Sequence, residues 1–144
     1  MKKSVEVHRL INASRDRIWK VITNTNMLQS EGTGITKIEG DIAAGQKLKL
    51  FSEVSPDRAF SLKVSEFEQG KRMLWEGGMP LGLFTGRRQF ILAERDEQTE
   101  FHMREEFTGP MSGMIWKSMP DLQPSFDKLA DAVKAMAENG KEAA

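Results

Sequence analysis

The chain begins with an alternation of apolar and polar residues. Val5 and Val7 alternate with polar neighbours, and this period of two predicts a strand over residues 4–11. The sequence Asn-Ala-Ser at 12–14 then interrupts the alternation. The first element is therefore predicted to be a strand that ends in a short turn.

Two short helices are predicted next. Ser14 is suited to cap the first helix, because its hydroxyl can accept from an N–H of the opening turn. Asn24 can cap a second helix that runs to about Ser30, before residues 31–34 end it. Apolar residues recur at helical spacing in the first helix, at Ile18, Trp19, Val21 and Ile22.

A long run of strand-like segments follows. Their predicted ranges are 35–39, 47–51, a strand containing Phe60, Leu62 and Val64, 72–76, 84–93 and 99–108. Turns are expected at 55–58 and 96–97, and a loop at 77–80, from their Gly, Pro and Asp content. Because the connections are short, the strands are predicted to pair as an antiparallel meander.

The carboxyl-terminal region changes to a helical period. Residues 109–119 are rich in Met and Gly and are expected to form a loop, and Pro120 suits a first helical position. Asn139 and Gly140 indicate a stop, and residues 139–144 are expected to be a loose tail. The helix between them, about 18 residues long, has apolar positions at spacings of 4, 3, 4 and 3: Leu122, Phe126, Leu129, Val133 and Met136.

This order predicts one α+β domain over residues 1–144. It would contain a curved antiparallel sheet of about seven strands wrapped around the long carboxyl-terminal helix, with two short helices after the first strand. A strongly bent sheet does not close fully on one cylinder. A hollow is therefore expected between the sheet and the helix.

Composition narrows the classes of function. The 21 basic residues equal the 21 acidic residues, so the balance disfavours a nucleic-acid binder. The sequence has no cysteine, which excludes disulfides and thiolate metal sites. Neither a signal peptide nor a membrane span is expected, so we predict a cytoplasmic protein, with monomer as the expected state.

Three stretches in this order resemble the START/Bet v 1-like (SRPBCC) superfamily, in its bacterial polyketide cyclase/dehydrase-like branch. They are INAS at 11–14 with RIW at 17–19, WEG at 75–77 with GLFTG at 82–86, and TEF at 99–101 with EEFTG at 105–109. The resemblance implies a helix-grip fold and a small hydrophobic or amphipathic ligand between the sheet and the helix. It implies no shared catalytic motif, so no catalytic residue and no cofactor is expected.

Strand parity predicts which side chains face that hollow. If residues 96–97 form a two-residue turn, paired residue numbers in the last two strands sum to 193. Arg88 then lies opposite Glu105 on a face that is otherwise apolar. The predicted ligand-binding residues are Trp75, Phe84, Arg88, Phe90, Met103, Glu105, Phe107, Trp116 and Phe126.

Each feature has a structural alternative. Arg88 and Glu105 could orient a ligand, or could form an ion pair across the sheet. Trp75 could line the hollow or only fill it, and the Met-rich stretch could be an adaptable lid or an ordinary loop. No metal site is expected, because His8 and His102 are far apart in sequence and no third ligand is evident.

Three functions remain open. The first is binding of a small hydrophobic or amphipathic molecule. The second is a cyclase or dehydratase-like enzyme that uses an acid or a base in the cavity, with Glu105 as the candidate. An arginine opposite Glu105 favours its ionised form, which disfavours a general acid and leaves a carboxylate base open. The third, implied by the resemblance, is a protein-interaction role like that of the chaperone-ATPase activators, which predicts an exposed apolar patch around Trp116 and no enclosed cavity.

Overall fold

The computed structural model describes residues 3–53 and 55–139. Its strands are β1 (Lys3–Ile11), β2 (Ile35–Glu39), β3 (Lys47–Ser52), β4 (Ser55–Glu68), β5 (Arg72–Met79), β6 (Phe84–Arg95) and β7 (Gln98–Thr108). Its α-helices are α1 (Arg15–Ile22), α2 (Thr25–Leu28), α3 (Ser112–Ser118) and α4 (Gln123–Glu138), and a 3-10 turn covers Pro80–Gly82. Among these residues, no helix has both the length and the apolar character needed to cross a membrane.

The seven strands form one antiparallel sheet in the order β1-β7-β6-β5-β4-β3-β2. Strands β2 to β7 pair with their neighbours in sequence through short connections, whereas β1 pairs with β7 from the other end of the chain. The sheet curls into a half-barrel that holds α4. This arrangement confirms the predicted α+β helix-grip fold.

The local capping signals are confirmed. The Ser14 hydroxyl accepts the Arg17 backbone N–H at 3.2 Å, and Asn24 Oδ1 accepts the Met27 backbone N–H at 3.0 Å. Both bonds satisfy a donor that would otherwise lack a partner at the start of a helix. The short polar side chains therefore mark where α1 and α2 begin.

The turn expected at 55–58 is wrong. Ser52 pairs with Ser55, so β4 already begins at Ser55 and residues 55–58 lie within this strand. Pro56 then lies where the β3–β4 register shifts. Proline has no N–H to donate to a regular ladder, and it is tolerated here because the ladder is irregular at this point.

The loop expected at 77–80 is also wrong for its first three residues. Gly77 and Gly78 belong to β5 and pair with Gly86 and Thr85 of β6. A Cβ at Gly78 would collide with the backbone carbonyl oxygen of Phe84. These glycines therefore permit a close approach of two strands and do not mark a loop.

The segment from 109 to 123 differs from its prediction in two ways. Residues 112–118 form helix α3, where a loop was expected. Met119 ends that helix in an extended conformation (φ −77°, ψ 147°), because a residue before proline is disfavoured in helical geometry. Pro120 therefore follows α3, and α4 begins only at Gln123. The expected stop at Gly140 and the tail at 140–144 lie outside the described residues.

Helix α4 packs mainly against β1 and α1. The predicted apolar stripe faces inward, since Phe126, Leu129 and Val133 are buried and Leu122 and Met136 are half-buried. Such burial, at about 1.5–3 kcal/mol for each large side chain, is the main stabilisation that the helix contributes. The register of α4 thus follows from its periodicity.

We expect Phe126→Ala to lower the free energy of unfolding by about 3–5 kcal/mol, because truncating a buried phenylalanine leaves a cavity. Denaturant unfolding followed by circular dichroism measures the change. Lys128→Ala, at an exposed position of the same helix, is the control and should change stability by less than about 1 kcal/mol. Equal effects of the two substitutions would contradict the packing of Phe126.

The end of α4 is attached to the turn after β1. Glu138 accepts the Asn12 backbone N–H at 2.8 Å and the Lys134 ammonium at 2.9 Å. These two bonds, the Asn12 bond first, hold the pKa of the Glu138 carboxyl below its usual value. The folded state is therefore stabilised by the ionised carboxylate.

A carboxyl group whose pKa is lowered by folding stabilises the folded state at pH values above its pKa in the unfolded chain, about 4.3 for Glu. This contribution is lost as pH falls through the pKa of the group in the folded state. Glu138→Gln should therefore be less stable than wild type at neutral pH, and the difference should shrink as pH falls through the lowered pKa of Glu138. Urea unfolding at a series of pH values from neutral into the acid range measures this. Glu31→Gln is the exposed control, and a pH-independent difference for Glu138→Gln would refute the assignment.

Candidate functional site

Arg88 and Glu105 form an ion pair on the inner face of the sheet. They are direct partners in the β6–β7 register, as the sum of 193 predicted. Arg88 Nε and Nη2 each lie 2.9 Å from Glu105 Oε1. The arginine side chain is 21% exposed and the glutamate side chain 15% exposed. The pair is therefore largely enclosed but still reaches solvent.

One aromatic ring contacts this ion pair, and three further rings form a connected group. The Arg88 guanidinium carbon lies 4.7 Å from the centroid of the Phe126 ring on α4, a cation–π distance. Phe84 and Phe107 stack at 5.7 Å, and Phe107 contacts Trp116 of α3 at 5.5 Å between ring centroids. We call Arg88, Glu105, Phe84, Phe107, Trp116 and Phe126 the charge-pair site.

Gly86 makes room for the ion pair. It lies between Phe84 and Arg88 on the inner face of β6, and an ideal Cβ there would be 2.7 Å from Glu105 Oε2. Gly86 shares the inward parity of Phe84 and Arg88, but parity alone gives it no role. Its importance becomes visible only when the Glu105 carboxylate is seen lying over it.

The inner face is closed toward the other end of β6. Trp75, Phe90 and Met103 are at most 1% exposed, and Phe126 is 2% exposed. A side chain that lines a water-sized space keeps more surface than this. The hollow expected beneath α4 is therefore filled at these residues by the protein's own side chains. Only the half near Phe84, Arg88 and Glu105 remains partly accessible.

One buried donor next to the ion pair lacks a partner. Trp75 lies across from Arg88 in the β5–β6 register, so Trp75, Arg88 and Glu105 form one row over three strands. Within the described part of the chain, Trp75 Nε1 has no hydrogen-bond acceptor. Buried indole N–H groups usually have a partner, but this one lies in the closed part of the inner face, so an acceptor reaches it only when that packing opens.

Apolar side chains are exposed at the accessible end. Leu81 is 97% exposed and adopts φ +62°, and Met114 of α3 is 64% exposed. The two segments are joined by a hydrogen bond from the Met111 N–H to the Leu83 carbonyl oxygen at 2.9 Å. Trp116, where the protein-interaction alternative would place an exposed apolar patch, is half-buried against the core. The sequence offered no signal for Leu81, because a lone leucine in a turn has no periodicity.

A surface depression of about 440 Å³ lies elsewhere, between residues 30–32 and the outer side of α4. Its lining residues include Lys128, Asp131 and Ala135, and none of the predicted ligand-binding residues. It is open to solvent and mostly formed by exposed side chains. The chemistry expected from the sequence therefore belongs to the charge-pair site and not to this depression.

Comparison with known proteins identifies the fold. No family model matches the sequence, and no curated protein matches it. The solution structure of the Aha1 dimer from Colwellia psychrerythraea has a TM-score of 0.72 at 18% identity and covers 97% of this chain and 99% of that chain. Truncated norcoclaurine synthase from Thalictrum flavum has a TM-score of 0.70 at 16% identity, covering 98% and 96%.

A third solved structure, protein MLL2253 from Mesorhizobium loti, has a TM-score of 0.72 at 12% identity and covers 97% of this chain and all of that chain. At these identities the likeness establishes the fold and not the activity. The chain therefore has the helix-grip fold of START/Bet v 1-like (SRPBCC) proteins.

We expect Gly86→Ala to destabilise the protein by about 1–3 kcal/mol, because the added methyl group displaces the Glu105 carboxylate. The cost should be smaller when Glu105 is also replaced by alanine, which thermal unfolding of the double-mutant cycle measures. Gly113→Ala is the control, since its Cβ would meet the Lys3 side chain at an ordinary 3.7 Å. Full additivity of Gly86→Ala and Glu105→Ala would refute the role of Gly86.

Proposed function

We propose that this protein binds a small amphipathic molecule at the charge-pair site, with the polar group of the ligand at Arg88 and Glu105. The observation that carries the proposal is the partly accessible ion pair on an otherwise apolar inner face. Ligand sites of this kind combine apolar walls with a few polar groups that orient the ligand. The START/Bet v 1-like fold supports the same class of function.

The energetics of the pair favour a binding role. Removing two charges from water costs several kcal/mol, and a well-packed apolar pair is often as stable. In the described part of the chain, Glu105 is the one acceptor within hydrogen-bond distance of the Arg88 guanidinium, which has five N–H donors. A carboxylate or carbonyl group of a ligand can use the remaining donors.

The row formed with Trp75 adds a second polar contact. Its unpaired indole N–H lies on the strand next to Arg88 and can donate to an acceptor of the ligand once the packing around Trp75 opens. A ligand with two acceptor atoms at its polar end would satisfy both donors. This favours a carboxylic acid or a hydroxy-carbonyl compound over a pure hydrocarbon.

Binding requires local movement, because the interior is filled. Helix α3 carries Trp116 and Met114, and Met111 and Met119 flank it. Methionine side chains adapt to different apolar shapes. We infer that α3 is displaced when the apolar part of the ligand takes the place of Trp116 beside Phe107. The Met-rich stretch then acts as the adaptable lid of the site.

A second candidate is a protein-interaction role. Two observations favour it: the filled interior and the exposure of Leu81. Leu81 also adopts a positive φ, which is energetically unfavourable for a leucine and which nothing else in this turn explains. An exposed apolar patch marks a contact site when it is larger than isolated residues would give. An enzymatic use of Glu105 has no further support, because no second acid or base is placed beside it by the described residues.

The decisive test of ligand binding begins with native mass spectrometry of the protein purified from its own cells. A retained small molecule would identify the ligand class. Calorimetric titration of long-chain carboxylic acids and their matched alcohols then measures affinity. Retention of no molecule, together with no binding across the panel, would favour the protein-interaction role instead.

We expect Arg88→Met to weaken binding of the carboxylic acids about ten- to hundredfold, the loss of a charge-assisted hydrogen bond of about 1.5–3 kcal/mol. The matched control is Arg87→Met, because Arg87 is the adjacent residue on the outer face, paired with Glu66 and Glu76. Thermal unfolding shows that both variants are folded. Equal affinities for Arg88→Met and Arg87→Met would refute a ligand contact for Arg88.

A further inference from the structure

The outer face of β1 and β7 brings together both histidines of the chain. His8 and His102 are direct partners in the β1–β7 register, and their rings stack at 4.0 Å between centroids with an angle of 8°. The two histidines are far apart in sequence, which was the reason for expecting no metal site, but they meet because β1 pairs with the last strand, which no local pattern predicts.

The close approach of the rings follows from the hydrogen-bond pattern of β1. The carbonyl oxygens of Glu6 and Leu10 accept from Gln123 and Lys134 of α4, at 3.1 and 2.7 Å. These even-numbered residues thus direct their backbone groups away from β7. His8 shares this parity, so His8 and His102 form a non-hydrogen-bonded pair, the type in which side chains lie closest.

A carboxylate completes a set of three potential ligands. Glu6 Oε2 lies 2.8 Å from His102 Nε2 and 3.7 Å from His8 Nε2. The three ligand atoms all lie within 4.8 Å of one another. Two imidazole nitrogens and one carboxylate oxygen are the donors of many three-residue zinc sites.

A second carboxylate, Glu100, lies beside His8 of this set. Its Oε2 lies 3.6 Å from Nδ1 of His8, the ring nitrogen that faces away from Glu6. Metal-binding histidines commonly donate their second N–H to a carboxylate, which fixes the tautomer and the orientation of the ring. Glu100 is positioned for this role after a small rotation of the His8 side chain.

We propose that Glu6, His8 and His102 form a binding site for a divalent transition-metal ion of the zinc class. Imidazole selects such ions over Ca²⁺ and Mg²⁺, which take oxygen ligands. Three protein ligands leave one coordination position to water. Because the stacked rings direct their lone pairs in parallel, the rings must rotate apart to bind one ion, which their exposed positions allow.

This site is independent of the charge-pair site. His102 and Glu105 have opposite parity in β7, so they lie on opposite faces of the sheet. The metal site can therefore be removed without changing the inner face. A failure of ligand binding at Arg88 would leave the metal proposal unaffected, and the reverse also holds.

The test is calorimetric titration of ZnCl₂ into tag-free protein that has been treated with a chelator and dialysed. The expected result is one Zn²⁺ per chain. His8→Ala, His102→Ala and Glu6→Gln should each weaken binding by about tenfold or more, since loss of even an outer-sphere partner typically costs that much. Glu106→Gln, a half-exposed carboxylate on the same face of β7, is the matched control and should bind like wild type.

A second measurement separates loss of the site from loss of the fold. Zn²⁺ should raise the thermal midpoint of the wild type and of Glu106→Gln but not that of His102→Ala, whose midpoint without metal should equal that of the wild type. Cobalt substitution should give visible absorption bands that the His102→Ala variant lacks. Equal Zn²⁺ affinity in wild type and His102→Ala, or no detectable binding to the wild type, would overturn the proposal.

Discussion

The two-residue turn at 96–97 is the constraint on which the rest of the structure depends. It sets the register of β6 against β7, and a shift of one residue would exchange the two faces of the sheet. With this register, Arg88 and Glu105 meet on the inner face, while His102 is directed outward. Asp96 adopts φ +58°, a conformation that aspartate tolerates better than most residues. This tight turn thereby determines the pairing of Arg88 with Glu105 and the outward direction of His102, whereas Glu6 and His8 reach His102 through the pairing of β1 with β7.

The inner face balances two requirements. Close packing of Trp75, Phe90, Met103 and Phe126 stabilises the contact between the sheet and the helix and leaves no water-sized space there. The ion pair at Arg88 and Glu105 lies at the boundary of this packed region, where cation–π contact with Phe126 offsets part of the desolvation of the guanidinium. The ligand binding that we propose at this site therefore requires movement at the open end of the grip, where the short helix α3 lies.

The errors of prediction have specific physical causes. Proline predicts a helix start at Pro120 and a turn at Pro56, but it equally suits the end of a helix and an irregular strand. Glycine predicts a loop at Gly77 and Gly78, but it also permits close contact between strands. In each case the residue is compatible with two local structures, and contacts from distant parts of the chain select one of them.

The sequence by itself determined the order and type of most elements, the two capped helices, the inward face of α4 and the pairing of Arg88 with Glu105. Those features depend on periodicity and short connections, which are local properties of the chain. Only the tertiary structure decided that the hollow is filled, that Gly86 accommodates Glu105, and that Glu6, His8 and His102 meet. The filling of the hollow depends on how side chains from different elements fit together. The three candidate ligands meet because β1 pairs with β7, about a hundred positions away in sequence, and no local pattern encodes such contacts.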